Sequence, residues 1–199
     1  MRIHVEPGHL AAEGARIDAA ADDADSGIER AATRVGEGDA EDLPVTPHNV
    51  VVMLRPDGRV FIEPYSRPIQ GTWTLDGIPE VVPDIQDAKA LGTAILNALE
   101  RSSWRVIPEP DPRDDPVVRE VLKWAGARNW KQYTKGSKAV SVYARYAVGP
   151  PTSANISPKE RERSGAYAPI DDAYREGVHF ESAEALGRLV QEAMKVARA

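Results

Sequence analysis

From Asn49 onward the chain alternates between short apolar runs and turn residues. Val50, Val51, Val52, Met53 and Leu54 form one continuous run, and Val60, Phe61 and Ile62 a second. Arg55-Pro56-Asp57-Gly58 lies between them, which predicts a β-hairpin with a tight turn. Gly71 to Leu75 reads as a further short strand, and Val81-Val82 ends at Pro83. Ile85, Ala88, Leu91, Ile95, Ala98 and Leu99 recur at helical spacing, predicting a helix from an Asp84 cap to about Arg101. A second helix is predicted from Asp115 to Ala125. Asp114 or Asp115 would cap it, Pro116 suits its first turn and Gly126 ends it. Val118, Val121 and Leu122 should face inward, with Trp124 read as a core residue. Ala139 to Tyr146 alternates as a strand does. Gly149-Pro150-Pro151 turns the chain, and Asn155–Ser157 and Val178–Phe180 read as short strands. Ser182 should cap a last helix that buries Leu186, Leu189, Val190, Ala193 and Met194. The expected class is α/β or α+β: a mixed or antiparallel sheet covered mainly on one face by helices over 84–101, 115–125 and 182–197.

Before residue 44 the pattern is thinner. Ile17, Ala21, Ala24, Ile28, Ala31 and Val35 recur every three or four residues, so a helix is plausible, but its stripe is mostly alanine and gains little by burial. Residues 1–47 carry eleven acids and four arginines, a net −7, within a chain of net −6. The acidity therefore belongs to the N-terminal segment, and the rest sits near neutrality. The chain divides into an acidic, alanine-rich tail over 1–44, weakly structured or a single helix, and one domain over 45–199. Val5, Pro7, Leu10, Ala15, Ile17, Asp18, Ala19 and Ala20 resemble the first helix of the small helical-hairpin proteins exported by type VII secretion. The Trp-x-Gly turn and second helix of that family are absent here. Removing residues 1–44 should leave the melting temperature nearly unchanged. A drop beyond the roughly 2–4 °C that about 1 kcal/mol produces in a domain this size would show that the tail packs into the core.

Two stretches of the domain look alike. Ile62-x-Pro64-x-x-Arg67-x-x-x-Gly71-x-Trp73 matches Ile156-x-Pro158-x-x-Arg161-x-x-x-Gly165-x-Tyr167 at an offset of 94 residues. Ala90-Leu91-Gly92 matches Ala185-Leu186-Gly187 at an offset of 95. Each half then reads as hairpin, proline-containing loop, strand and Ala-Leu-Gly helix. The glycines would let each helix sit close to a strand.

Little in the chain points to catalysis. There is no cysteine, hence no disulfide, thiol nucleophile or thiolate metal site. His4 and His9 lie in the tail, His48 precedes the first strand and His179 sits in a short one, at no metal-binding spacing. No nucleophile elbow, phosphate loop or zinc-helix motif occurs, so no catalytic residue, cofactor or metal is assigned. No basic stripe suggests nucleic acid, no run approaches the ~20 apolar residues of a membrane span, and the N-terminus lacks a signal peptide's apolar core. The expected location is the cytoplasm. The informative cluster is Trp124, Trp130 and Tyr133 among Lys123, Arg128, Lys131 and Lys135, downstream of Glu109-Pro-Asp111-Pro-Arg113-Asp114-Asp115. Aromatic anchors with a charged rim are the composition of a protein interface.

Residues 85–199 resemble the immunity proteins of contact-dependent growth inhibition systems. The resemblance rests on the Leu91-Gly92 helix, Lys131-x-x-x-Lys135-Gly-Ser-Lys138-x-Val-Ser-Val142, the Ile156-Ser-Pro158 turn, the Gly165-Ala-Tyr167 strand and the closing Leu186-Gly187 helix. It implies a non-enzymatic protein that binds, one to one, the C-terminal toxin domain of its own system, often a nuclease. Trp130 and Tyr133 are the expected toxin-binding anchors, and Glu109, Asp111, Asp114 and Lys131 the rim. The alternative from a different class is a small hydrolase or nucleic-acid-processing enzyme.

Overall fold

A computed structural model describes residues 45–67, 71–102 and 115–199. The 1–44 tail, its helix and its likeness to a type VII substrate lie outside the described residues, as do Glu109, Asp111 and Asp114. The described elements run β1 (Thr46–Leu54), β2 (Val60–Ser66), β3 (Thr74–Leu75), β4 (Glu80–Val82), α1 (Ala88–Arg101), α2 (Pro116–Trp124), α3 (Trp130–Tyr133), β5 (Lys138–Tyr146), β6 (Ser153–Arg161), β7 (Tyr167–Pro169), β8 (Arg175–His179) and α4 (Ala183–Val196). A 3-10 turn over Asp171–Ala173 joins β7 to β8.

All eight strands form one antiparallel sheet. β1 and β5 pair at its centre, with β2 outside β1 and β6 outside β5. β3 and β4 share the outer edge of β2, as β7 and β8 share that of β6. The β1–β2 turn is the expected one: Gly58 takes a positive φ of 87°, and Asp57 accepts the Arg59 N–H at 3.1 Å.

The two halves correspond in strand order and pairing. Pro64 pairs with Val50 and Pro158 with Val140. Tyr65 faces Leu75 on β3, and Lys159, 94 residues later, faces Pro169 on β7. Val60 faces Val82 on β4, and Ala154 faces Val178 on β8. Because Val51 pairs with Ser141, these equivalences place a pseudo-twofold axis at that pair. The repeated prolines correct one expectation, since both lie inside strands rather than in loops. The Pro64 carbonyl accepts the Asp76 N–H at 2.8 Å and the Pro158 carbonyl accepts the Ile170 N–H at 3.0 Å. A strand residue's N–H points to the same side as its carbonyl. The missing N–H therefore falls in the gap between β3 and β4, or β7 and β8, where no ladder bond is lost.

The sheet buries both faces. Val50, Val52, Val60, Ile62, Val140, Val142 and Ile156 face α1 and α4, where Leu91, Ile95, Leu99, Leu186, Val190 and Met194 complete the larger core. α1 is capped by the Asp87 carboxylate, three residues past the expected Asp84, which instead accepts the Gln86 N–H within the preceding turn. Ser182 caps α4 as expected. Gly92 and Gly187 do not face strands. A Cβ on Gly92 would overlap the Ala183 carbonyl, and one on Gly187 the Ala88 carbonyl, so each glycine admits the backbone of the other helix.

The second core lies on the opposite face. It contains Val51, Met53, Phe61, Tyr65, Leu75, Ala139 and Tyr167, closed by Val121 of α2 and Tyr133 of α3. The two long helices thus share one face, while the 115–125 helix crosses to the other. Alternation explains the two-sided burial: every second residue of β1 belongs to each core.

Candidate functional site

α1 ends at Ser102, which is fully buried. The Ser102 hydroxyl donates to the Tyr65 carbonyl and accepts the Asn49 N–H at 2.8 Å, tying the helix end to β1 and β2. His48 completes this seat. Its Nδ1 reaches the Leu99 carbonyl at 2.9 Å, and its ring stacks on Tyr146 at 4.1 Å. It is a structural histidine.

α2 is capped by Asp115, whose carboxylate accepts the Val117 and Val118 N–H groups at 2.8 and 3.3 Å, with Pro116 in the first turn. Val121 is fully buried, with Val117 and Leu122 packed around it. Trp124 was expected inward but is 41% exposed, one edge of its ring against Phe61 at a centroid distance of 5.0 Å. Gly126, at φ 67°, lets the chain reverse. Asn129 then caps α3 by accepting the Gln132 N–H at 2.9 Å. α3 is pinned to the β6–β7 turn: Thr134 donates to the Gly165 carbonyl at 3.0 Å, and Arg161 donates to the Lys131 carbonyl at 3.1 Å.

The structure separates the expected anchors. Trp130 is half-buried against Tyr133 at 5.0 Å, and the Lys131 side chain is exposed. Tyr133 is completely buried, and its hydroxyl donates to the Glu63 carboxylate at 2.6 Å. Its ring is a core group that holds α3 on the sheet. The three expected acids stand in the segment outside the described residues.

The structure also brings forward groups that motif reading passed over. Glu63 is 2% exposed. Burial pushes its carboxyl up to about 7, against the hydrogen bonds from Tyr133 and Tyr65 and the nearby charge of Arg55. The Arg55 guanidinium lies 5.5 Å from the Phe61 and Tyr133 ring centroids and donates to the Ser137 hydroxyl at 3.2 Å. Strand alternation carried a signal for Glu63, because it shares a face with Phe61 and Tyr65. In the second half the same face holds Lys159, whose amine is lowered to about 8 by burial, opposed by the charge of Asp171. The Glu63 carboxyl is closed beneath α3, away from any substrate. Among the described residues no group of three or more His, Asp or Glu could hold a metal ion, and no helix is long and apolar enough to cross a membrane.

What α2 and α3 leave outward is strongly charged. Arg119, Lys123, Arg128, Lys131 and Lys135 are exposed over residues 116–135, against the single acid Glu120. This face suits association with another macromolecule more than chemistry on a small one.

No family model matches the chain, and no curated protein sequence matches it. The fold is similar to that of a protein of unknown function from Neisseria meningitidis, with a TM-score of 0.59 and 19% identity, over 76% of this chain and 96% of that one. It is similar also to a chain of the CdiA-CT/CdiI toxin and immunity complex from Yersinia pseudotuberculosis, with a TM-score of 0.54 and 16% identity, over 76% of this chain and 98% of that one. At these identities the likeness establishes a shared fold: an antiparallel sheet with helices, found in a chain of a toxin and immunity complex.

Proposed function

We propose that this chain is an immunity protein that binds and neutralises the C-terminal domain of a cognate contact-dependent or polymorphic toxin, with a nuclease as the expected target. The observation that carries the reading is the fold shared with a chain of a toxin and immunity complex over nearly the whole of that chain. The charged face over 116–135 supports it, since a partner surface needs a charged rim and few anchors. The complex is one to one, formed in the cytoplasm of the cell that carries both proteins. Within it, Trp130 and Lys131 are contact residues, Glu109, Asp111 and Asp114 add rim charge, and Tyr133 acts from beneath by fixing α3.

The test is co-expression. Cells producing the toxin domain encoded beside this chain should survive with it and die without it, and the two proteins should co-purify. Equal death in both cases would sink the proposal.

A further inference from the structure

We propose that the outward face of α2 and α3, together with the β1–β2 turn, is a cationic docking surface for an acidic face of the partner protein, with Trp124 as its apolar anchor. This rests on the immunity reading and specifies the partner's side of the same contact.

Three observations meet at Phe61. Its ring is buried in the second core, with the Trp124 ring centroid 5.0 Å away and the Arg59 and Arg55 guanidiniums over the ring at 5.4 and 5.5 Å from its centroid. The end of α2 and the β1–β2 turn therefore form one continuous surface. The turn is held there from below as well, because a Cβ on Gly136, just after α3, would stand 3.0 Å from Pro56.

Trp124 crowns this surface. It stands three residues after the buried Val121, on the prolongation of the helix's apolar stripe, but 41% of it remains exposed. A large aromatic left half in water regains its transfer free energy only when a second surface covers it. The charge around it decides what that surface is. Lys123, Arg128, Lys131 and Lys135 are exposed and make no ion pair with the described residues. Arg59 is paired with Asp57 at 2.7 Å, so its charge is offset within the turn. Four cations over residues 123–135, none of them ion-paired with a described residue, fit carboxylates on a protein surface. A polynucleotide is the weaker occupant, because the one exposed tryptophan among the described residues is not a stacking platform.

The experiment uses the full chain and the toxin domain encoded beside it. Trp124→Ala should weaken the complex about 30-fold or more, chiefly through faster dissociation. Lys123→Glu combined with Lys135→Glu, both exposed and unable to unfold the domain, should slow association about 10-fold at low salt, with the difference shrinking at high salt. If the wild-type chain binds and protects while all three substitutions leave the rates within twofold, the immunity reading stands and this surface is wrong. If charge reversal speeds association, the partner face is basic and the proposal fails. If the substitutions abolish binding of a single-stranded RNA 20-mer but spare the toxin domain, the occupant is nucleic acid. If the wild type neither binds nor protects, the immunity reading fails and this surface with it.

Discussion

Gly92→Ala is expected to lower the stability of the fold by about 3 kcal/mol, in the upper part of the range for overpacking a core. The sign is informative, because alanine for glycine inside a helix ordinarily gains roughly 1 kcal/mol. Here the added methyl would overlap the Ala183 carbonyl and come within 3.0 Å of the Gly187 nitrogen. Backbone cannot rotate aside as a side chain can, so α1 and α4 must separate, and the core beneath them loosens. Gly187→Ala should cost a similar amount, since its methyl would overlap the Ala88 carbonyl on the other side of the same crossing. One displacement of the helices relieves both overlaps. The double variant should therefore fall well short of the sum of the two single effects. Urea denaturation of the four proteins at constant slope measures all three quantities. Single variants as stable as wild type, or strict additivity, would mean that the helices do not meet through these glycines.

Glu63→Gln should stabilise the protein at alkaline pH by as much as about 3 kcal/mol and leave it nearly unchanged at acidic pH. Glu63 in the fold ionises near 7, while in the unfolded chain it ionises near the ordinary 4.5. Between those values the folded state holds a proton that the unfolded state has released. The contribution of Glu63 to stability thus falls as pH rises through that window, then stays flat above it. Glutamine keeps the shape and an acceptor for the Tyr133 hydroxyl without the charge. The gap between the two proteins should close as the pH is lowered to about 4. Tyr133→Phe acts in the opposite sense. It removes the 2.6 Å donor, leaving Tyr65, at 3.4 Å, and the more distant Arg55 to face the carboxylate. Its cost should grow with pH. Chemical denaturation at pH 4.5 and pH 8 checks both, and a Glu63→Gln gap that is the same at the two pH values would overturn the account.

Much of this fold is local and was therefore legible in the chain. A Pro-Asp-Gly turn between two apolar runs makes a hairpin wherever it occurs, and the Asp115 and Ser182 caps satisfy N–H groups two or three residues away. The repeat was legible too, because equivalent positions in the two halves meet equivalent neighbours. The helix start near 84 was misplaced by three residues because Asp84 and Asp87 are equally good caps. Only the turn that Asp84 closes separates them.

The rest was decided by contacts across dozens of residues. No local rule says which face of the sheet α2 takes, since both faces of β1 are apolar. That placement buries Tyr133 on Glu63, 70 positions away in the chain, and leaves Trp124 41% exposed beside Phe61. Sequence composition identified the aromatic and basic segment as the part of the chain to watch. Which aromatic is core and which is surface depends on what packs over each ring, a property of the assembled structure alone.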